Sequence, residues 1–192
     1  MKRFLIIAGV GAVLSAAAGA AAAWYVTGPS GVYGDRVSIG PWSTSLSIGQ
    51  ATSDPWTRAR IARSGLLALP RSEAVYFSAT SDSRGDALRS TRSYQVTGGL
   101  PEDAEIWSVT AYGADDYLME TPIELASVSS HEVEERDISV QLRPMDDAAP
   151  EPGVIAMTGD QRVTLVLRFY QHPGWDAQAI RSLELPRIEA SR

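Results

Sequence analysis

The sequence of 192 residues contains no cysteine and only two histidines. The absence of cysteine excludes disulfide bonds, thiol nucleophiles and metal sites built on thiolates. Two histidines are too few for a histidine-rich metal centre. The stability of this protein must therefore come from packing and hydrogen bonding.

Motifs of several enzyme classes are also missing. The sequence has no glycine-rich phosphate loop, no dinucleotide-binding fingerprint and no G-x-S-x-G nucleophile elbow. The segment HEVEE at 131–135 begins like the zinc-protease motif H-E-x-x-H, but Glu135 stands where the second histidine is required. His172 precedes a proline and is typical of a surface turn. We therefore expect no metal and no cofactor, and a non-enzymatic role is favoured.

The first 26 residues predict the location of the protein. Lys2 and Arg3 precede an uncharged apolar segment, 4–26, which is long enough to cross the hydrocarbon core as a helix. A cleavable signal peptide begins in the same way but has an apolar stretch of only about 7–15 residues. Alanines before Trp24 fit a cleavage site, so both interpretations stay open, and length favours an anchor. The positive-inside rule then predicts a single-pass membrane protein with Lys2 and Arg3 in the cytoplasm and its C-terminal domain exported.

Composition predicts how the rest of the chain is divided. Residues 27–36, TGPSGVYGDR, form a linker rich in glycine and proline, and residues 37–192 form one domain with its own core. Without Lys2 and Arg3, the chain has 15 basic and 23 acidic residues, which gives a net charge of −8. This acidity excludes a basic footprint for nucleic acid and argues against docking on anionic lipid.

Capping residues, prolines and turn clusters in this domain predict one helix followed by many strands. Asp54 is a suitable cap, Pro55 suits the first helical position, and apolar residues recur at spacings of three and four until Pro70. Before the helix, WSTSLSIG at 42–49 shows strand-like alternation in its second half.

From Glu73 onward, short runs rich in β-branched, aliphatic and aromatic residues alternate with turn clusters. We therefore predict a mainly β fold, a two-layer β-sandwich of jelly-roll type with one short packed α-helix, preceded by a transmembrane helix. The segment VTLVLRFY is apolar at almost every position, which is typical of a central strand.

Two aspartates in SDSRGD, at 81–86, are weak candidates for a functional site. Asp82 and Asp86 would suit a calcium site, or an acid and base pair with one raised pKa. Arg84 stands between them, however, and the alternating acidic ligands of a calcium loop are missing. We favour a turn, in which Asp82 caps the backbone and Gly85 supplies a positive φ.

Weak candidates for binding residues come from the helix and from aromatic positions. Arg58, together with Arg60 and Arg63, would suit an anion, although a solvated helix flank explains the same pattern. An aromatic cleft for carbohydrate or apolar ligands would be formed by Trp107, Tyr112 and Tyr117. The apolar run around Trp107 favours core packing for that residue.

Three segments carry a family resemblance. They are WTRARIARSGLLALPRSEAVYFSATSDSRGDALRSTRSYQV, IWSVTAY and LVLRFYQHPGW. In this order, over about residues 54–175, they resemble the domain-of-unknown-function 1214 family. The resemblance implies a jelly-roll-like β-sandwich and supplies no established catalytic residues. The chain departs from larger members at VIAMTGDQRVTL, where they carry an asparagine-tryptophan-leucine-proline segment, and at LASVSS, where they carry an arginine-tyrosine pair.

The resemblance also implies a partner, because this domain often follows a companion domain, of unknown function and numbered 1254, in one longer chain. We therefore expect a separately encoded companion protein. Because the family is bacterial, the expected location is the inner membrane with the C-terminal domain in the periplasm. The expected function is that of a membrane-anchored periplasmic binding or assembly module. An envelope hydrolase that uses carboxylates and a calcium-stabilised structural domain are the alternatives.

Overall fold

A computed structural model describes most of the chain, namely residues 2–27, 35–50, 52–63, 69–121, 125–131, 133, 137–147, 151–170 and 174–191. Within these ranges the helices are α1 (Lys2–Thr27), α2 (Pro55–Arg63) and α3 (Ala177–Arg181), with a 3-10 turn at Met145–Asp147. The strands are β1 (Arg36–Ile39), β2 (Trp42–Ser45), β3 (Ala74–Ala79), β4 (Tyr94–Gly98), β5 (Ile106–Tyr112), β6 (Ser127–Ser129), β7 (Ile138–Pro144), β8 (Val154–Met157), β9 (Thr164–Tyr170) and β10 (Arg187–Ala190).

The strands form two sheets. One has the order β1-β2-β3-β9-β5-β6, and the other has the order β10-β4-β7-β8. All neighbouring strands are antiparallel except β7 and β8, which are parallel. The predicted mainly β, two-sheet fold is confirmed, and β9 is a central strand as its apolar sequence indicated.

One hydrophobic core lies between the sheets. Alternate residues of β3, β5 and β9 point into it, and among them Phe77 and Phe169 meet edge to face with their ring centroids 6.0 Å apart. Trp175 continues this arrangement, with its ring centroid 5.6 Å from that of Phe169. The second sheet contributes Val96, Val140, Leu142, Ile155 and Ile188. Each such side chain adds about 1.5–3 kcal/mol of burial free energy.

Pro186 connects the two sheets at one end of the sandwich. Its carbonyl oxygen accepts a hydrogen bond of 2.7 Å from Nε1 of Trp42, whose side chain is fully buried. Its ring also packs directly against Gly98 at the end of β4. The indole N–H of Trp42 is therefore satisfied inside the core, as a buried polar group must be.

Helix α2 begins where the sequence predicted. Asp54 Oδ1 accepts hydrogen bonds from the backbone N–H groups of Trp56 and Thr57, at 2.9 and 3.2 Å, and Oδ2 accepts one from the Thr57 hydroxyl at 2.6 Å. The Thr57 hydroxyl is the main cause that lowers the pKa of Asp54. The later part of the predicted run, residues 64–68, lies outside the described residues.

Helix α1 contains a continuous apolar span, Ile6–Val26, of 21 residues with a mean hydropathy of 2.0. None of this span is buried against the rest of the chain. By length and composition α1 can cross a membrane or act as a signal sequence. Most of the predicted linker, residues 28–34, lies outside the described residues, and its last residue, Arg36, begins β1.

The structure corrects one sequence expectation at the start of the domain and adds one helix near its end. The strand expected in the second half of WSTSLSIG lies in its first half, as β2, because the chain turns after Ser45 with hydrogen bonds from Ile48 N to Ser45 O and from Gln50 N to Ser47 O. Helix α3 was not predicted. Asp176 Oδ1 caps it by accepting hydrogen bonds from Gln178 N and Ala179 N, both at 2.8 Å.

The contact between Gly98 and Pro186 predicts a stability difference between two adjacent glycines. A Cβ atom at Gly98 would lie 2.6 Å from Pro186 Cα, whereas at Gly99 the nearest atom would be 4.0 Å away. Gly98→Ala should lower the free energy of unfolding by about 1–3 kcal/mol, because backbone atoms must move. Gly99→Ala, the control, should change it by less than about 0.5 kcal/mol. Urea unfolding followed by tryptophan fluorescence would measure both, and equal stabilities would contradict this packing.

Candidate functional site

A charged residue occupies the centre of the outer face of the six-stranded sheet. Arg168 lies on β9 and pairs directly with Tyr76 of β3 on one side and with Ser108 of β5 on the other. Successive strand residues point to opposite faces of a sheet. Leu167 and Phe169 therefore enter the core, and the half-buried Arg168 points away from it.

The guanidinium of Arg168 is held by hydroxyl groups and aromatic rings. Nη1 donates a hydrogen bond of 2.8 Å to Thr110 Oγ1, and Nη2 donates one of 2.6 Å to Tyr112 Oη. The guanidinium carbon lies 5.8 Å from the ring centroids of both Tyr76 and Tyr112, within the range of cation–π attraction. We call Arg168, Tyr76, Thr110 and Tyr112 the arginine cluster.

Apolar side chains lie beside the arginine cluster on this face. Ala74, Tyr76 and Val166 form a second buried group on this face, and Ile48 and Tyr170 pack against it. The Tyr76 hydroxyl accepts a hydrogen bond of 2.8 Å from the backbone N–H of Leu69. Burial is the main cause that raises the pKa of Tyr76. Tyr76 is therefore largely removed from water, whereas Arg168 is half-buried.

An open pocket of about 860 Å³ adjoins the arginine cluster. Tyr112 belongs to both, because it also lines the pocket. The other lining residues are Ala62 of α2, Thr158, Gln161 and the loop residues Gly113, Asp115, Asp116, Tyr117, Leu118, Met119 and Glu120. We call residues 113–120 the pocket loop.

Local hydrogen bonds fix the shape of the pocket loop. Asp115 Oδ1 accepts a bond of 3.1 Å from the backbone N–H of Tyr117, and Gly113 N donates to Tyr117 O at 2.8 Å. Asp116 adopts a positive φ of 65°, which aspartate tolerates better than most residues. Gln161, between β8 and β9, also holds the loop, since its Oε1 accepts a hydrogen bond of 3.2 Å from Ala114 N. The loop presents three acidic side chains and an exposed aromatic ring at the pocket.

The aromatic candidates from the sequence separate into two places. Tyr112 and Tyr117 both line the pocket, and Tyr117 is 74% exposed. Trp107 lies on the opposite face of β5 and is fully buried in the core, as its apolar neighbours indicated. Arg58 lies on the exposed surface of α2, and the side chains of Arg60 and Arg63 fall outside the described part of the structure.

Asp82 shapes the turn between β3 and β4. It is only 3% exposed, and its Oδ1 accepts hydrogen bonds of 2.9 Å from the backbone N–H groups of Arg84 and Asp86. Gly85 has a φ of +94°, which confirms the predicted turn. Asp86 itself is exposed. The turn also contacts β10 at the edge of the second sheet, because Ser83 N donates to Ile188 O and Ile188 N donates to Ser83 Oγ.

The described residues contain no group of three or more potential metal ligands among histidine, cysteine, aspartate and glutamate. His131 is exposed in the turn after β6, and part of the HEVEE segment lies outside the described residues, as His172 does.

Sequence reasoning did not select Arg168 as a candidate. The signal that could have found it is a single charged residue inside an otherwise apolar central strand, LVLRFY. Lysine and arginine are seldom buried in such positions without a partner. The strand pairing that brings Tyr76 and Tyr112 to this arginine could not be read from the sequence.

A protein family of unknown function, DUF1214, matches residues 73–173, just over half of the chain. The chain belongs to this family. The matched range extends from the start of β3 beyond the end of β9, so it includes the arginine cluster and the pocket loop and leaves out α1 and α2. Comparison with curated proteins finds no match.

A solved structure shares the fold. The VPA0106 protein from Vibrio parahaemolyticus is 22% identical, with a TM-score of 0.55 over 73% of this chain and 36% of its own. An uncharacterised protein from Burkholderia cenocepacia is 10% identical, with a TM-score of 0.41 over 62% of this chain and 29% of its own. This DUF1214 chain therefore spans about a third of the length of these relatives.

The turn at Asp82 predicts unequal roles for the two candidate aspartates. Asp82→Ala removes the acceptor of two backbone N–H groups in a mostly buried turn, and we expect the free energy of unfolding to fall by about 2–3 kcal/mol. Asp86→Ala, the matched control, should change it by less than about 0.5 kcal/mol because its side chain is exposed. Urea unfolding of both variants measures the difference. An Asp82→Ala protein as stable as the wild type would show that the carboxylate does not hold the turn.

Proposed function

We propose that this DUF1214 protein is a membrane-anchored binding module whose ligand presents an anionic group to Arg168. The observation that carries the proposal is the half-buried position of Arg168 between two tyrosine rings, with neutral hydroxyls as the acceptors of its hydrogen bonds. The outer face of the six-stranded sheet is then the recognition surface, and its other face builds the core.

The physical argument rests on the cost of placing a charge away from water. That cost is several kcal/mol unless an opposite charge or good hydrogen bonds replace the lost hydration. Thr110 and Tyr112 replace part of it and hold the guanidinium in one orientation. A carboxylate or phosphate would add charge-assisted, bidentate hydrogen bonds to this planar group. Because the guanidinium is already oriented, less conformational entropy is lost on binding.

The adjoining pocket supports a ligand with a second, uncharged part. Tyr117 and Leu118 are exposed there and offer aromatic and apolar surface, which suits an aromatic ring, a sugar or a short acyl chain. The three carboxylates of the pocket loop would repel a second anionic group at that position. We therefore expect a ligand with its negative charge at one end.

The apolar helix α1 supports a location at a membrane. We assign α1 as an uncleaved anchor in the bacterial inner membrane because its apolar span of 21 residues is longer than that of a signal peptide. Lys2 and Arg3 before the span favour an orientation with the β domain in the periplasm. Such a module would hold its ligand, or hand it to a companion protein, at the membrane surface.

The two alternative functions have less support. A hydrolase that uses Asp82 and Asp86 would need a free carboxylate pair, whereas the Asp82 carboxylate accepts two backbone hydrogen bonds. A calcium-stabilised domain would need several oxygen ligands close together. No specific observation on the described residues favours either one.

Titration with two small anions tests the proposal. Full-length protein in detergent is titrated with benzoate and with phenyl phosphate, and binding is followed by ligand-detected NMR. We expect binding of at least one probe, and its identity distinguishes a carboxylate site from a phosphate site. Arg168→Gln should weaken binding at least about tenfold, since a hydrogen bond to a charged group contributes about 1.5–3 kcal/mol.

A matched control is Arg187→Gln, which removes an exposed arginine of β10 and should leave the affinity within about twofold of the wild type. Arg168→Lys keeps the charge but loses the planar fork, and an intermediate affinity is expected. Wild-type protein that binds neither probe, or an Arg168→Gln variant that folds and binds as well as the wild type, would contradict the proposal.

The proposed companion protein requires a separate test. Crosslinked membranes that contain the full-length chain are gently solubilised, and the proteins recovered with it are identified by mass spectrometry. We expect a protein that carries the companion domain at a near-equal amount. Recovery of the chain without any such partner would count against the companion protein and would leave the anion site unaffected.

A further inference from the structure

The two hydroxyls that accept hydrogen bonds from Arg168 differ in what becomes of their own protons. Thr110 Oγ1 lies 3.0 Å from Ser127 Oγ, and Ser127 donates its hydroxyl proton to Val109 O at 3.2 Å. Thr110 must therefore be the donor in its contact with Ser127, because a hydroxyl has only one proton to give. The proton of Thr110 is used inside the sheet and is not available to a ligand.

The hydroxyl of Tyr112 keeps its proton available. Its oxygen accepts the hydrogen bond of 2.6 Å from Arg168 Nη2, and none of the residues that the structure describes accepts a hydrogen bond from it. A phenolic hydroxyl can donate one hydrogen bond while it accepts another. Accepting a bond from a guanidinium also polarises the O–H group, which makes it a stronger donor. Tyr112 therefore presents a polarised O–H group where the arginine cluster meets the pocket.

Arg168 also keeps N–H groups that the arginine cluster does not use. A guanidinium has five N–H donors, and two of those of Arg168 go to Thr110 and Tyr112. Arg168 Nη2 and Tyr112 Oη are 2.6 Å apart, so one small anion can accept hydrogen bonds from both groups at the same time. The two side chains thus form a pair of adjacent donors on the half-buried outer face of the sheet.

The charge around the pocket favours an anion with a single negative charge. Three acidic side chains line the pocket together with Tyr112, namely Asp115, Asp116 and Glu120. A carboxylate carries one negative charge at neutral pH, whereas a phosphate monoester carries about 1.5–2. Repulsion from the pocket loop is therefore greater for a phosphate monoester than for a carboxylate.

We propose that the ligand carries a carboxylate that accepts hydrogen bonds from two converging donors, an N–H group of Arg168 and the hydroxyl of Tyr112. Tyr112 is then a ligand-binding residue and not only a support for the arginine. The inference rests on the proposed function, because it requires the anion site at Arg168. It adds the chemical class of the anion and a second residue that binds it.

Two changes at position 112 separate donation to the ligand from support of the arginine. Tyr112→Phe removes the hydroxyl and keeps the ring beside Arg168. Tyr112→fluorotyrosine, with fluorine next to the hydroxyl, keeps the shape and makes the hydroxyl a stronger donor and a weaker acceptor. Full-length protein in detergent is titrated with benzoate, and binding is followed by ligand-detected NMR. We expect about fivefold weaker binding for Tyr112→Phe and about twofold tighter binding for the fluorotyrosine protein.

A matched control for the fluorine is Tyr25→fluorotyrosine. Tyr25 belongs to α1, is 75% exposed, and lies outside both the pocket lining and the arginine cluster. This protein should bind benzoate as the wild type does. Because the fluorotyrosine at position 112 differs from tyrosine by one small atom, it also keeps the inference testable if Tyr112→Phe does not fold.

The class of the anion is tested in the same titration. Wild-type protein at neutral pH should bind benzoate at least about threefold more tightly than phenyl phosphate, because the pocket loop repels the larger charge. Asp116→Asn removes one of these charges, and asparagine tolerates the positive φ of this position. The variant should therefore show a smaller preference for benzoate.

Three results would overturn the inference and leave the anion site at Arg168 in place. A Tyr112→Phe protein that binds benzoate at least as tightly as the wild type would show that the hydroxyl does not contact the ligand. A fluorotyrosine protein without tighter binding would show that Tyr112 only supports the arginine as an acceptor. Tighter binding of phenyl phosphate than of benzoate would exclude the carboxylate.

Failure of the proposed function itself gives a different result. Wild-type protein that binds neither probe, or a folded Arg168→Gln variant with unchanged binding, would remove the anion site and this inference with it.

Discussion

Strand β9 has to satisfy two different environments at once, and much of the fold depends on how it does so. It lies between β3 and β5 in the six-stranded sheet, so its backbone hydrogen bonds are used on both edges. One side of the strand places Leu165, Leu167 and Phe169 in the core against the second sheet. The other side carries Arg168, which the alternation of a strand must direct to the opposite face. The core fixes the register of β9, and that register fixes the position of the arginine.

The buried Asp82 and the half-buried Arg168 are compensated in different ways, which suggests different roles. Asp82 accepts hydrogen bonds from two backbone N–H groups of its own turn, so its carboxylate stabilises that turn. Arg168 donates hydrogen bonds to the hydroxyls of Thr110 and Tyr112 and lies beside the rings of Tyr76 and Tyr112, and none of these three residues is a carboxylate. A charge that is oriented by the protein and left without a counter-charge from these groups is suited to an anionic ligand.

Local signals in the sequence were sufficient for some elements and insufficient for others. Asp54 before a proline marked the start of α2, and Gly85 marked a turn, because caps and positive φ angles depend on a few adjacent residues. Helix α3, capped by Asp176, is too short to show helical periodicity. Strand β1 was missed because its alternation covers only four residues. The contact of Arg168 with Tyr76 depends on the pairing of distant strands, which the apolar pattern of each strand alone does not specify.

The central claim of this account is that Arg168 is an anion-binding residue on the outer face of the sheet. A crystal structure of the protein grown with selenate, with data collected at the selenium absorption edge, tests it most directly because anomalous scattering identifies the anion. The account predicts a selenium peak whose oxygen atoms lie within about 3 Å of the Arg168 guanidinium. Selenate bound only at exposed arginines such as Arg187 or Arg162, with none at Arg168, would contradict it.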